Sequence, residues 1–538
     1  MANLETDLLV IGAGVAGGLM ANALGDDMRV LVIDAGPEID RQETKEKFWA
    51  APIKVPEAPY PDSPQYAHPR VDQPDGYYVQ EGPETFRSTY LKVVGGTTWH
   101  WLGTALRLVP DDFRLKTAFG QGVDWPITYE DLEPHYLAAE TAIGVAGDGT
   151  EDLGSPRSGD FPMGAIPQTY LDRQFAEALD GSDYPVRSTP QARNSVVFDQ
   201  RPACCGSNSC IPVCPIGAKY DATVTLKAAK AKGVEVMAST VAVSLTADAD
   251  GRITSVEVRH PDRSSDTITA KVVVVAAHGI ETPRLLLNSA SEAFPDGIAN
   301  RSGTVGRHLM DHPVRLGYAL SNAPLWPYRG PLSTSGIEAS RVSKNRREMP
   351  SFRTEIGNDG WSWPTGAPMS TARTLAAKGL RGDALNAALV DHCSRQIRLA
   401  TLVEQLPMPD NRVTLDPDKR DYYGVPRPRI AFRIHDYAQK GLDHAATVHG
   451  EIFDRLGVSE QHHPDGWFGA GHIMGTARMG TDPATSVVNA DGRAHDHDNL
   501  FVVGSAVFPT GGAANPTLTI AALTLKAVPS VKAAVEAG

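Results

Sequence analysis

Apolar positions along this chain fall mostly in short continuous runs rather than long amphipathic stretches. Residues 7–11 form one such run. A glycine-rich turn follows at 12–17, then residues 19–24 with helical spacing, then a second run over 29–33 that ends in Asp34. A run of four to eight apolar residues between turn signals reads as a strand buried on both faces. Strand, turn, helix and strand in succession predict a βαβ unit in a parallel sheet. Further strands are predicted near 234–237 and over 271–277. Residues 48–87 are rich in Pro, Tyr and Asp and read as a long irregular excursion, and 145–220 as loop-rich. From about 314 to 455 the α/β rhythm is lost, and the last eighty residues return to strand, loop and helix. The reading is an α/β protein: a Rossmann-like nucleotide-binding domain over 1–313 and 456–538, interrupted by an α+β cap over 314–455. No internal repeat or low-complexity tail is present.

The first turn carries the dinucleotide fingerprint in its proper place, after a strand and at the start of a helix. In Gly12-Ala13-Gly14-Val15-Ala16-Gly17, Gly12 permits the tight turn. Gly14 lets backbone approach a pyrophosphate, and Gly17 lets helix and strand lie close. The helix N-terminus then faces the phosphates. Asp34, 20 residues after Gly14, is placed to accept from ribose hydroxyls. The fingerprint alone does not separate NAD from FAD. A second glycine turn follows at Gly95-Gly96-Thr97-Thr98, leading into Trp99-His100-Trp101.

At 538 residues the chain is too long for one ordinary core, so at least two domains are expected. A formal charge of -13 argues against nucleic acid as a partner. No apolar run reaches the length of a membrane span. Acidic Glu5 and Asp7 precede the first strand, so no secretory signal is expected. Four of the five cysteines, Cys204, Cys205, Cys210 and Cys214, lie within eleven residues. In so large a chain that clustering points to metal or redox chemistry rather than to a disulfide framework. The final Cys214-Pro215 is like the loops whose thiolates hold iron. Adjacent cysteines diverge, so Cys204, Cys210 and Cys214 are read as ligands of a three-iron (3Fe-4S) cluster. Cys205 is then spare for a disulfide with a partner. A structural zinc site and free or disulfide-bonded thiols stay open.

Five separated motifs together resemble the glucose–methanol–choline flavin oxidoreductases. They are the unit from Gly12 to Asp34; Val94-Gly95-Gly96-Thr97-Thr98; residues 274–284 around Ala277-His278-Gly279; residues 305–313, ending His308-Leu309-Met310-Asp311-His312-Pro313; and the C-terminal pair around His472 and Asn515-Pro516-Thr517. Two branches are most similar. Flavin subunits of bacterial membrane-associated sugar dehydrogenases share Thr97 to Trp101 and the cysteine cluster; pyranose oxidases share the register of His100-Trp101.

The resemblance implies FAD as cofactor, held by the two glycine turns with Val15, Ala16, Asp34, Ala35, Trp101, Ala242, Ala277, Gly504, Ser505, Pro516 and Thr517. It implies His472 as the base that takes the hydroxyl proton, a task suited to an imidazole titrating near working pH. Asn515 would orient the hydroxyl and donate to the developing alkoxide. Asn515 and Pro516 would also cap and begin an apolar helix running to about Val528, with its N-terminus at the flavin. His100 either bonds covalently to the flavin or stacks near it. His308 and His312 read as structural. Relatives in the dehydrogenase branch often carry Asn before the base; here Gly471 precedes His472, so the oxidised carbon, pyranose C1 or glucoside C3, stays open. Trp361 and Trp363 are candidate sugar contacts in the cap.

The implied activity is a sugar dehydrogenase that passes electrons through the cluster to a cytochrome. A small escort subunit would carry an export signal, and the complex would lie on the periplasmic side; a cytoplasmic enzyme is the alternative. An oxygen-reducing sugar oxidase, an NAD-linked dehydrogenase and a non-catalytic scaffold are the rival readings.

Overall fold

The computed structural model describes residues 3–51, 58–61, 69 and 76–538. Much of the excursion expected over 48–87 lies outside the described residues.

The first sheet has seven strands. Its order is Glu235–Met237, Val30–Ile33, Asn3–Ile11, Ser265–Val275, Ile253–Arg259 and Val241–Ala247, with Leu500–Val502 also paired to Ser265–Val275. The strands nearest the glycine turn are parallel; Ile253–Arg259 and Val241–Ala247 form an antiparallel wing. Alternation explains why these runs are apolar throughout. Leu8, Val10, Val32, Val272 and Val274 pack on one face against helices Val15–Leu24, Thr223–Ala231 and Thr517–Ala537. Leu9, Ile11, Ile33, Val273 and Val275 pack on the other face against residues that include Leu132, Tyr136 and Ile143 of helix Tyr129–Ile143. Each such side chain, fully buried, stabilises the fold by about 1.5–3 kcal/mol. A charge at Val274, which is 0% exposed, would break the layer.

The second sheet is antiparallel. Its order is Val458–His462, Pro313–Ser321, Gln396–Val403, Phe352–Gly357, Ser335–Ile337 and Val186–Ser188, with Phe468–Gly469 beside Pro313–Ser321. It thus draws strands from outside 314–455 on both sides. Here the two faces differ. Phe352, Ile356, Ile397, Leu399 and Val403 face the long helix Asp436–Leu456 in one core. The opposite face carries Val314, Leu316, Ala400 and Leu402, and at the same register Arg353, Glu355 and Arg398.

The last helix, Thr517–Ala537, runs beyond the expected end near Val528 and holds Pro529 inside it. Pro529 removes one backbone donor, but Ala527, Val531 and Val535 on either side pack into the first core and keep the helix going. It is the one described helix long and apolar enough to match a membrane span by length and composition. Half of that window is buried in the protein, and Lys526 and Lys532 pair with Asp491 and Asp27.

Candidate active site

A cavity of about 1670 Å³ runs from the first glycine turn, between the two sheets, to the cap. That exceeds the usual range for one small ligand, roughly 300–1,000 Å³, and leaves room for a dinucleotide with a substrate beside it. Its nucleotide end is lined by Gly12, Gly14, Val15, Ala16, Asp34 and Ala35. Gly96, Thr97, Thr98, His100 and Trp101 of the second turn follow, then Ala242 and Ala277. Gly504, Ser505, Pro516 and Thr517 close the far side. Of the residues singled out around the glycine turns, Gly17 and Gly95 stand behind the wall.

The glycine chemistry is visible in what a side chain would meet. A Cβ on Gly17 would lie 1.8 Å from the Gly12 carbonyl oxygen, so helix and turn are as close as backbone allows. A Cβ on Gly14 would meet nothing within 4 Å: this backbone faces open space. Gly14 caps helix Val15–Leu24 with no side-chain hydrogen bond, leaving the first-turn N–H groups available for an anion. These features fit the pyrophosphate of FAD. Asp34 accepts from Ala13 N (2.8 Å) and Gly36 N (2.8 Å), so it braces the turn as well as lining the cavity. Burial raises its pKa to about 6, against the pull of those two donors.

At the opposite end lie His472 and Asn515, brought together from a loop and the start of the last helix. Pro516, not Asn515, is the cap residue of that helix, and it has no side-chain cap bond. The Asn515 side chain points elsewhere, because Arg353 Nη1 donates to its Oδ1 at 3.2 Å. That bond fixes the amide, and Nδ2 lies 3.3 Å from His472 Nε2.

His312, read from sequence as structural, touches the imidazole of His472. The two Nδ1 atoms are 2.8 Å apart, and His312 Nε2 lies 2.9 Å from the Gly512 carbonyl oxygen. A carbonyl can only accept, so Nε2 of His312 carries the proton. Burial lowers the His312 pKa to about 4, so the ring is neutral and its Nδ1 accepts. His472 must then donate from Nδ1, which leaves the lone pair on Nε2 facing Asn515. Asp311, next in the same motif, accepts from the backbone N–H of His472 (2.8 Å) and of His312 (2.7 Å) and from the Ser88 hydroxyl. Burial first, then His312 and Arg353, holds the His472 pKa well below 6.5. The His472 imidazole is neutral and its tautomer is set.

The wall opposite the nucleotide end carries charge. Glu355, Asp359, Arg398 and Trp363 line the cavity there. Arg398 pairs with Asp359 at 2.8 Å, and Arg353 is held by Glu338 at 2.9 Å. Trp361 packs edge-on to Tyr318 instead and donates to the Ile397 carbonyl. Sequence reasoning missed Arg353, Glu355 and Asp359. The usable signal was charge at alternate positions of a strand whose neighbours are apolar.

The cysteine loop borders the same cavity through Asn208, Ser209, Ile211 and Pro212. Cys210 and Cys214 are buried, Cys204 is half-buried and Cys205 is exposed. Cys210 and Cys214 both lie within electrostatic reach of Cys204. Gly206 N donates to Cys204 Sγ (3.4 Å) and Lys219 N to Cys214 Sγ (3.5 Å). The buried Lys219 ammonium donates to the carbonyls of Trp99, Trp101 and Cys210. Among the described residues no three His, Cys, Asp or Glu side chains converge as a site for one metal ion.

Comparison with known proteins agrees with this architecture. Models described as GMC oxidoreductase match residues 165–314 and 407–524. The chain is 35% identical to the fructose dehydrogenase large subunit of Gluconobacter japonicus, over 98% of each chain. It is 30% identical to the 2-methyl-1,2-propanediol dehydrogenase of Mycolicibacterium austroafricanum, over 97% of this chain and 94% of the relative. The crystal structure of pyridoxine 4-oxidase from Mesorbium loti superposes with a TM-score of 0.68 at 18% identity, covering 98% of this chain and 99% of the other; it shares the fold. On these grounds the chain belongs to the GMC oxidoreductase family.

Proposed function

We propose that the chain is an FAD-dependent dehydrogenase that oxidises a sugar hydroxyl and delivers the electrons through an iron–sulfur cluster to an external acceptor such as a cytochrome. The observation that carries this reading is the His472–Asn515 pair at the end of a nucleotide-sized cavity, with an imidazole lone pair on Nε2 and an amide donor 3.3 Å away. The likeness to a fructose dehydrogenase subunit supports a sugar as substrate.

Bound FAD supplies the acceptor for the carbinol hydride. The chain's own part is the proton and the geometry. A hydroxyl placed between His472 Nε2 and Asn515 Nδ2 gives its proton to Nε2, and Nδ2 donates to the oxygen as negative charge develops there. His472 becomes an imidazolium that still donates from Nδ1 to His312. General-base catalysis of this kind contributes about 10²–10⁴-fold.

For the electrons, Cys204, Cys210 and Cys214 are the proposed cluster ligands. The burial of Cys210 and Cys214, the nearness of both to half-buried Cys204, and two N–H donors to sulfur support this. A single zinc ion with Zn–S near 2.3 Å would need its thiolates about 3.8 Å apart, whereas a cluster spreads them further. Held by these thiolates, a cluster would supply one-electron steps between a two-electron flavin and a one-electron haem. Exposed Cys205 is available for a link to a partner. The likeness to a protein named as a large subunit supports an assembly with a further subunit; a small escort and a cytochrome, working on the periplasmic side, are the partners proposed.

The test is the visible spectrum of the anaerobic protein, before and after D-fructose, D-glucose and methyl glucosides. Flavin bands on a broad iron–sulfur absorbance, with the flavin bleached by one sugar, are the expected result. Flavin bands without that absorbance remove the relay and favour an oxidase. Absence of flavin overturns the reading.

A further inference from the structure

We infer that Glu355 is the carboxylate that receives a substrate hydroxyl other than the one oxidised, so that it selects polyhydroxylated substrates. This rests on the sugar dehydrogenase reading above.

Strand Phe352–Gly357 alternates between two environments. Phe352 and Ile356 fill the core against helix Asp436–Leu456. Arg353 and Glu355 share the other face, where the adjacent strand presents Ala400 and Leu402. A carboxylate is a costly residue at such a position unless something pairs with it. Arg353 does so only in part. Its Nε and Nη2 are engaged by Glu338 at 2.9–3.2 Å, and Nη1 reaches Asn515 Oδ1 at 3.2 Å. The contact from the same Nη1 to Glu355 is 3.5 Å, at the edge of a hydrogen bond. Glu355 is 4% exposed and lines the cavity. Arg398 is the other charged neighbour, held by Asp359 and within electrostatic reach of Glu355. An ionised carboxylate offers about four acceptor positions, so acceptor capacity remains on the cavity side for a ligand.

The placement also fixes which ligand groups can use it. One guanidinium nitrogen separates Glu355 from the amide that handles the reacting oxygen, a span suited to a second hydroxyl of the same sugar. Carboxylates accept from hydroxyls and reject carbonyl or ether oxygens, so the site prefers a polyol face to an apolar alcohol.

The experiment measures kcat/KM of the holoenzyme for a sugar that reduces the flavin, for its monodeoxy analogues, and for 1-propanol, which has no second hydroxyl. In the wild type, removing one hydroxyl other than the oxidised one should lower kcat/KM about 10–100-fold, the size of a hydrogen bond to a charged group. Glu355→Gln should bring the parent sugar down to its deoxy analogue, so that the parent-to-deoxy ratio falls to near one. Bound-flavin absorbance certifies the fold, and Glu355→Asp serves as second variant if the Gln variant does not accumulate. An undiminished parent-to-deoxy ratio in the folded variant overturns the inference while the dehydrogenase reading stands. A flavin reduced by 1-propanol and by no sugar overturns that reading and takes this inference with it.

Discussion

The nucleotide end of the cavity is walled by backbone and small residues, Gly12, Gly14, Gly96, Ala277 and Gly504, whereas the cap wall presents Glu355, Asp359, Arg398 and Trp363. The first surface recognises its ligand by how closely a main chain can approach. The second offers side chains: Glu355 and Arg398 rise from paired antiparallel strands, and Asp359 and Trp363 follow the strand Phe352–Gly357. The His472–Asn515 pair sits where the two meet: one donor to Asn515 comes from the cap strand through Arg353, and the bond that orients His472 comes from His312 at the end of the nucleotide domain's motif.

The sharpest test is Gly17→Ala, directly behind the nucleotide wall, where helix and turn meet. A Cβ 1.8 Å from the Gly12 oxygen cannot be accommodated without moving helix or turn. We expect a protein that accumulates poorly or purifies without flavin, read by the absorbance ratio of flavin to protein. A normally loaded variant would show that this wall is softer than its contacts imply.

Next in size is His472→Ala. Loss of the base should lower kcat about 10³-fold with flavin content unchanged, because His472 stands at the opposite end of the cavity from the glycine turn. Turnover within tenfold of wild type removes His472 from its role. A smaller effect tests His312 as a positioning residue. His312→Leu leaves His472 without its Nδ1 acceptor, and we expect kcat to fall about 10–100-fold, the worth of an orienting hydrogen bond in a dry site. His312→Gln keeps an acceptor oxygen and should recover most of the loss. Equal damage from both variants would mean that His312 only fills space.

What could be read in the sequence follows the same division. The βαβ unit announces itself because backbone approach demands glycine at fixed spacing and two-sided burial demands continuous apolar runs. The strand seen over Ser265–Val275 was anticipated only from 271, since its first residues alternate at a half-exposed edge. His472 and Asn515 were legible as motif positions, but their supports were not. His312 has the same letter and motif whether it packs or orients, and only the fold shows which ring it meets. Arg353 and Glu355 lie in a strand of six residues whose facing partner is set by long-range pairing, so local pattern carries little of their role. Asn515 was expected to cap a helix by local preference; the buried Arg353 guanidinium outcompetes the helix N–H for its carbonyl oxygen.

The smallest effect, and the most discriminating about environment, is the pH dependence. His472 is active when neutral, and burial beside His312 and Arg353 disfavours its charged form. The acid limb of kcat/KM should therefore lie below pH 6.5, with activity lost only as pH falls through the depressed value. Stability gives a second readout with the same origin. Burial lowers His278, His308 and His312 to about 4 and His449 to about 3. The unfolded chain takes up protons at these positions below about pH 6.5 while the folded chain does not, so folding weakens by about 1.4 kcal/mol per pH unit for each unmatched proton. Asp34 and Asp311 act in the opposite sense. Burial raises both to about 6, so the folded state takes up their protons first as pH falls from 6 toward 3.8, and they offset part of the loss. The imidazoles outnumber them, and the thermal midpoint should fall between pH 6.5 and 4. An activity limb at or above pH 6.5 in a protein whose thermal midpoint is still flat would mean that His472 is solvated in the working enzyme, and that the two walls do not close over it.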